Sequence, residues 1–449
     1  MIDILPVFVV LAVITAVLVI FIWPKLGLYS LLLFAPFSYY YAYLGPPVLF
    51  TTGTFLQRST KDILTVIVYL SFALYIVFAK KEIKLSAIPL TYLVLAFSGM
   101  VIIRMLCALP YSGYDALIGM RNMAEYLPLA FLVPLSFTTK KGIKTAINMF
   151  FSCSTIVILL ALYEIYFRSR SFLGVINFRI VSTLYNPNNL ALYLCILLLA
   201  LAGLYLKKVY FINRSFSFFL IGCSFAITVL TFSRGPILGL IMAVLFLLFL
   251  GKGNKTVLYL CIIPVVSGML FFAFFYNDTG GLLTRYSQIV GVGQVDRSTT
   301  ARLGNVSSAW EILSQEPYLL FTGLGFDKVT GIAPINADSG QIGKDWRATS
   351  GVPTDSFYLS LFAGGGIFSL LIFVSIFFLL IWESIKFSLR TSDQYFKGLS
   401  QGMSAIFVAY AVVSVTLLAL TTFPGAFYFW FFVGILFSMK RIEKGNSIC

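Results

Sequence analysis

The chain has 449 residues, of which 59 % are hydrophobic and 11 % charged, and it carries a formal net charge of +15. A mean hydropathy of +0.95 excludes a soluble globular domain. There is no histidine, which excludes histidine-based catalysis and histidine metal sites.

Crossing a bilayer takes about 20 apolar residues. Runs that meet this are expected at 4–23, 26–44, 62–79, 87–108, 115–137, 145–166, 183–206, 215–232, 236–251, 256–276, 357–382, 402–422 and 425–439. Barrel strands alternate and run about ten residues, so these Leu-, Ile- and Phe-rich stretches are helices. The expected fold is an all-α polytopic membrane protein with 12–13 transmembrane helices. Lysines cluster in alternate gaps: Lys80, Lys81 and Lys84; Lys140, Lys141 and Lys144; Lys207 and Lys208; Lys252 and Lys255; Lys386 and Lys397; Lys440 and Lys444. Positive residues mark cytoplasmic loops, which puts the C-terminus inside and the N-terminus outside. No signal peptide is expected, because the first run lacks a basic leader and a cleavage site.

Eleven of the fourteen arginines then fall on the outer side and fifteen of the eighteen lysines on the inner. The charge excess is inner and topological, so it points to no nucleic-acid partner. Arginine grips phosphate with a planar, always-charged fork, so the outer arginines suggest a phosphorylated ligand. Five of the six cysteines lie in or beside spans and the sixth is Cys449; no disulfide framework is implied.

One connection is long. The chain divides into transmembrane helices 1–10 over residues 1–276, a large outer loop over 277–356, and helices 11–13 with a cytoplasmic tail over 357–449. Within the loop, Leu303, Val306, Trp310 and Leu313 recur at helical spacing between Thr299 and Gln315, which predicts a helix lying on the membrane surface with Arg302 in its first turn.

Four outer clusters could carry chemistry: Asn177-Phe178-Arg179 with Tyr185-Asn186-Pro187-Asn188-Asn189; Thr231-Phe232-Ser233-Arg234-Gly235-Pro236; Arg302 with Trp310, Pro317, Gly323 and Gly325; and Pro353-Thr354-Asp355-Ser356-Phe357-Tyr358-Leu359 followed by Gly364, Gly365 and Gly366. Charges at membrane edges are functional candidates, yet each cluster also has a plainer reading. Arg179 and Trp310 fit interfacial anchors. Asn186 to Asn189 and Asp355 fit helix caps. Arg234 fits an ion pair with Glu125 or Glu164, and Arg104 and Arg121 fit partners of Asp115 and Glu125. The three glycines fit close helix packing better than ligand contact.

Their order and spacing resemble the O-antigen polymerase and O-antigen ligase superfamily of envelope glycan assembly. The matching stretches are Asn186-Pro187-Asn188, Ser233-Arg234-Gly235, Arg302 with Trp310, Pro317, Gly323 and Gly325, and Asp355-Ser356-Phe357-Tyr358-Leu359. They cover roughly residues 170–385. The resemblance implies a metal-independent, cofactor-free inverting glycosyltransferase of the membrane-embedded, GT-C-like class, in the bacterial inner membrane with a periplasmic active face. It further implies glycan donor and acceptor on undecaprenyl pyrophosphate, surrounding membrane lipids, and a chain-length-regulating membrane protein as a further partner. Arg234 and Arg302, with Arg179 third, are the expected pyrophosphate ligands. Asp355, with Arg302 and Arg234, is the expected catalytic set. The ligases carry a histidine near the end of the long loop; here that stretch offers Thr354 and Asp355, which favours a polymerase over a ligase acting on lipid A-core. A transporter or flippase of anionic lipid-linked sugars is a different class. It calls for charges near span centres and repeated or broken helices.

Overall fold

A computed structural model describes residues 15, 17–37, 50–78, 89–171, 180–184, 186–250, 297–331 and 352–446. Arg179, Tyr185, most of the expected span 4–23 and all of 256–276 lie outside the described residues. The helices are α1 (Pro24–Phe34), α2 (Phe50–Phe78), α3 (Pro89–Ser112), α4 (Tyr114–Ala124), α5 (Leu129–Ser136), α6 (Lys140–Ser171), α7 (Pro187–Leu206), α8 (Arg214–Leu230), α9 (Arg234–Leu250), α10 (Arg297–Gln315), α11 (Pro317–Thr322), α12 (Phe357–Arg390), α13 (Gln394–Val413) and α14 (Gly425–Asn446). Among the described residues the only sheet is a short parallel ladder of β1 (Val329–Gly331) with β2 (Val352–Thr354). The protein is an all-α polytopic membrane protein.

Seven described helices are long and apolar enough to cross a membrane, and α8 and α9 are shorter apolar helices. Those nine correspond to nine of the thirteen expected spans, with one correction of bounds: the span expected at 402–422 is α13 at Gln394–Val413, which ends where the 414–424 turn begins. Two of the other four, 4–23 and 256–276, fall largely or wholly outside the described residues, and 26–44 is described only to Phe37. The fourth is a correction: 115–137 is two short helices, α4 and α5, separated by a turn at Glu125–Pro128. Proline and two charged residues, Arg121 and Glu125, make a continuous span costly. The opened backbone is partly satisfied by Tyr69, whose hydroxyl donates to the Glu125 carbonyl at 2.5 Å.

Helix α7 is apolar on every face, and its residues from Leu190 to Tyr205 are buried. Such a helix belongs at a bundle centre. It crosses α13 where Gly203 faces Gly398 and Gly402, so closely that a side chain at Gly203 would collide with the backbone of both; small residues allow this approach. Around the pair stand α8, α9, α12 and α14. Aromatic rings fill the space between α6, α7 and α14, with Phe150, Tyr193 and Tyr428 mutually in contact.

The lysines gather at one end of this bundle. Lys140 pairs with Asp393, the N-cap of α13. Lys144 stands over the Tyr395 ring, Lys25 over Phe137, Lys207 beside Gly398, and Lys440 pairs with Glu383. The candidate site forms at the opposite end.

The least expected feature is in α12. Gly366 has φ 70° and ψ −170°, outside the helical region. The Phe357 and Phe373 rings nevertheless lie 4.8 Å apart, the Tyr358 and Phe377 rings 6.2 Å apart, and Ser369 donates to the Leu361 carbonyl at 2.6 Å. In a straight helix Phe357 and Phe373 would be about 24 Å apart along the axis. The segment is therefore a helical hairpin: a short arm, residues 357–365, folds back along a long arm that begins at Gly366. An L-residue at this φ would be strained. A side chain there would also strike the Phe321 carbonyl.

Candidate active site

The turn between α8 and α9 is tight. Phe232 sits at φ 52°, a left-handed conformation uncommon for a bulky residue. Ser233 behind it is buried, and Arg234 opens α9 with its side chain exposed. A cation at a helix N-terminus opposes the helix dipole, whereas an anion placed there is favoured by the dipole and by the arginine together. The next residue, Gly235, packs against Thr416 and Leu417 in the turn after α13.

The same turn receives the start of the hairpin's short arm. Phe357 N–H donates to the carbonyls of Ser414 at 3.0 Å and Leu417 at 3.2 Å, and the Ser356 hydroxyl donates to Ser414 O at 3.1 Å. Residues 414–417 thus hold the Arg234 turn on one side and the Asp355 segment on the other. The α12 N-cap is Ser356, whose hydroxyl accepts from Leu359 N–H. Asp355 is not the cap, and its carboxylate is left for other work: Oδ2 accepts from Arg302 Nε at 2.7 Å. Both side chains remain reachable, Arg302 36 % and Asp355 21 % exposed. Thr354, by contrast, is fully buried and shares a hydrogen bond with Ser360 at 2.7 Å, so it serves the fold.

Helix α10 begins at Arg297, which places Arg302 in its second turn rather than its first. The expected apolar stripe is split. Leu313 is buried, together with Ala309, but Val306 and Trp310 are exposed, the latter by 58 %. Ala309 instead packs with Ala363, Leu359, Leu324 and Val329, so the face that carries Ala309 and Leu313 holds α10 to the hairpin. Tyr318, Phe321 and Phe368 are exposed as well, and the Phe321 and Phe368 rings lie 6.0 Å apart. An aromatic group bridging a surface helix and a membrane span fits the bilayer interface.

The two glycine motifs meet at the hairpin tip. Leu324 N–H donates to Ala363 O at 2.7 Å and Gly325 N–H to Gly364 O at 2.9 Å. The break at Gly366 frees those carbonyls from their helical partners, and the loop supplies new ones, as backbone at membrane depth requires. Phe326 packs directly on Gly364 and Gly365. The glycines are packing and docking residues.

A second polar network stands at the same end. Lys61 Nζ contacts Asp62 at 2.6 Å and Glu125 at 3.3 Å, while Arg121 reaches Asp62 at 3.2 Å and Glu125 at 3.5 Å. Lys61 also lies over the rings of Tyr126 and Phe423. Arg121 therefore pairs with Glu125 as expected, but its other partner is Asp62 rather than Asp115. Sequence reasoning missed Lys61 as the hub; its signal is a Lys-Asp pair heading an apolar run. Asn186 caps α7 by accepting from Asn188 N–H at 2.8 Å, the plainer reading of that motif. Asn189 donates to Phe423 O at 3.5 Å.

The structure thus joins Arg302 to Asp355 and brings the Arg234 turn to the same support. Residues 217–374 match the family described as O-antigen ligase, a stretch that contains all three residues. This segment is similar to that family, which supports the O-antigen ligase and polymerase superfamily. The matched segment takes in α9 to α11, nearly all of α8 and the hairpin tip, about a third of the chain. No curated protein matches the chain. The match supports an O-antigen polymerase or ligase activity in general terms.

Proposed function

We propose that the protein is a polysaccharide polymerase of O-antigen type, joining repeat units carried on undecaprenyl pyrophosphate at the periplasmic face of the bacterial inner membrane. The observation that carries this reading is the Arg302–Asp355 ion pair at 2.7 Å, partly exposed and anchored on the turn that also holds Arg234. Residues 277–356 form the periplasmic loop in this reading, and the transmembrane segments before and after it hold the two lipid-linked substrates.

In the proposed reaction an acceptor hydroxyl attacks the donor's anomeric carbon. The new glycosidic C–O bond forms as the bond from that carbon to the phosphate oxygen breaks, with inversion. The electron pair leaves with undecaprenyl pyrophosphate, and the hydroxyl proton passes to the Asp355 carboxylate. Arg302 and Arg234 stabilise the negative charge that develops on the leaving phosphate; preorganised cations of this kind supply a large share of transition-state stabilisation. The Arg302–Asp355 pair links the two roles. When the donor pyrophosphate draws Arg302 to itself, the Asp355 carboxylate is freed to face the acceptor hydroxyl. Arg179 is a third pyrophosphate ligand in this proposal. A chain-length-regulating membrane protein is the further partner it calls for.

One observation favours ligase as the second reading: the matched family bears that description. A deletion strain separates the two on a surface-polysaccharide gel. Core carrying a single repeat identifies a polymerase. Bare core, with finished polymer retained on the lipid carrier, identifies a ligase and overturns the proposal.

A further inference from the structure

Arg104 lies inside the apolar stretch Leu90–Ser112 of α3, eight residues and about 12 Å below the Ser112 end of the helix. That end is the one facing the proposed catalytic corner, because Ser112 donates to Asp327 Oδ2 at 2.5 Å and Asp327 follows the Gly-Leu-Gly-Phe docking segment. A charged side chain at such a depth is expensive unless it faces a partner. Among the described residues no carboxylate lies within ion-pair distance of Arg104, and the sequence-based partners Asp115 and Glu125 are not used.

Arg104 lines a crevice between α3, α4 and the Phe326–Lys328 turn, walled by Val101, Met105, Ala116 and Met120, with Asp327 also on its lining. Asp327 is not within ion-pair distance of it. Its carboxylate is engaged by Ser112 and lies 3.8 Å from Lys328 Nζ. Beside the crevice, Ile103 and Leu106 of α3 are exposed, as expected of a surface turned to lipid. The crevice itself is closed to a ligand, so what Arg104 can meet lies on its lipid-facing side, where a half-buried cation among exposed apolar side chains suits a phosphate carried on a membrane lipid. The crevice is also coupled to the catalytic corner. Phe97, two turns from Arg104 on α3, packs on Phe373 at 5.0 Å, and Phe373 packs on Phe357 at 4.8 Å, two residues after Asp355.

We propose that Arg104 is the anchor of a second lipid-phosphate site, distinct from the Arg234–Arg302 corner. The inference rests on the polymerase reading for its ligand, since that reaction holds two lipid-linked pyrophosphates at once and one cationic corner serves only one of them. Arg104 does not touch reacting atoms; it positions the second substrate through its carrier.

The test uses the full chain in phosphatidylcholine nanodiscs with undecaprenyl pyrophosphate as probe, counting bound copies by native mass spectrometry. Wild type is expected to hold two copies and Arg104→Ala one, with the affinity of the lost copy reduced roughly ten-fold or more. Arg104→Lys keeps a charge without the fork and is expected to fall between. It also covers the case in which Arg104→Ala fails to elute as a single folded species. A parallel arm with phosphatidylglycerol in the disc distinguishes the source. If Arg104→Ala loses bound phosphatidylglycerol but neither copy of the probe, the lipid-phosphate site stands with a bulk phospholipid as its occupant. If Arg104→Ala and Arg104→Lys hold probe and phosphatidylglycerol as wild type does, the site is wrong. Arg302→Ala keeps the failures apart. Its loss of one copy, while Arg104→Ala retains both copies and its phosphatidylglycerol, supports the catalytic corner and overturns this site. Retention of two copies by Arg302→Ala counts against the corner alone.

Discussion

Two polar clusters flank the turn between α13 and α14, and they differ in how their charges are placed. Lys61, Asp62, Arg121 and Glu125 pair two cations with two carboxylates, with Lys61 and Glu125 17 % and 13 % exposed and Arg121 and Asp62 40 % and 30 %. Arg302 pairs with Asp355, and these two, with Arg234 on the same support, are partly or fully open. A network that pairs its charges internally holds a broken helix together. A corner that places an exposed arginine at a helix N-terminus invites an anion. Counting arginines cannot separate these roles; where each arginine stands in the fold does.

The largest expected effect falls on the open corner. Arg302→Ala and Arg234→Ala are each expected to lower polymer formation by roughly 100-fold or more, with protein levels unchanged, read on a polysaccharide gel against an immunoblot. Asp355→Asn is expected to lose activity comparably, and full activity would leave it a partner of Arg302 alone. Next comes the hairpin that presents this corner. Gly366→Val forces a branched side chain into φ 70° and against the Phe321 carbonyl, and is expected to destabilise by about 1–3 kcal/mol or more, seen as loss of folded protein in detergent.

On the internally paired network the expectation reverses. Lys61→Met leaves Glu125 with Arg121 alone, and is expected to cost about 1–3 kcal/mol of stability while activity per folded molecule holds. Loss of activity in well-folded Lys61→Met protein would break the contrast between the two clusters. The smallest effect belongs to the lysine end. Burial alone would raise the Asp393 carboxyl, but the Lys140 hydrogen bond and the Phe396 and Tyr395 backbone N–H groups outweigh it, so the net shift is below the ordinary 3.8. A carboxyl lowered on folding contributes stability that is present above pH 3.8 and is lost as the pH falls through the lower folded value. Asp393→Asn is therefore expected to unfold with a shallower dependence on pH below about 4, measured by thermal melting across acid pH.

Much of this was legible in the sequence because the bilayer imposes long apolar runs and sorts lysine to one side. The Ser233-Arg234-Gly235 turn, Arg302 and Asp355 could be named from spacing. Their meeting could not. It depends on the fold-back at Gly366, and residues 357–382 read as one continuous apolar run because a hairpin of two apolar arms has the composition of a single helix. Gly364, Gly365 and Gly366 were the available signal, and three adjacent glycines also suit a straight, tightly packed span. The interruption of 115–137 left plainer marks in Arg121, Glu125, Pro128 and Pro134. Asp355 looked like a cap because carboxylates so often are; only the Ser356 hydrogen bond to Leu359 shows that the cap lies one residue later.

The release of undecaprenyl pyrophosphate from a synthetic lipid-linked repeat unit, by purified wild type and Arg302→Ala in the presence of EDTA, tests the open corner most directly. If Arg302 carries the leaving-group charge, wild type turns over without divalent metal and the variant is slower by roughly 100-fold or more. Equal release by the two proteins would contradict that role.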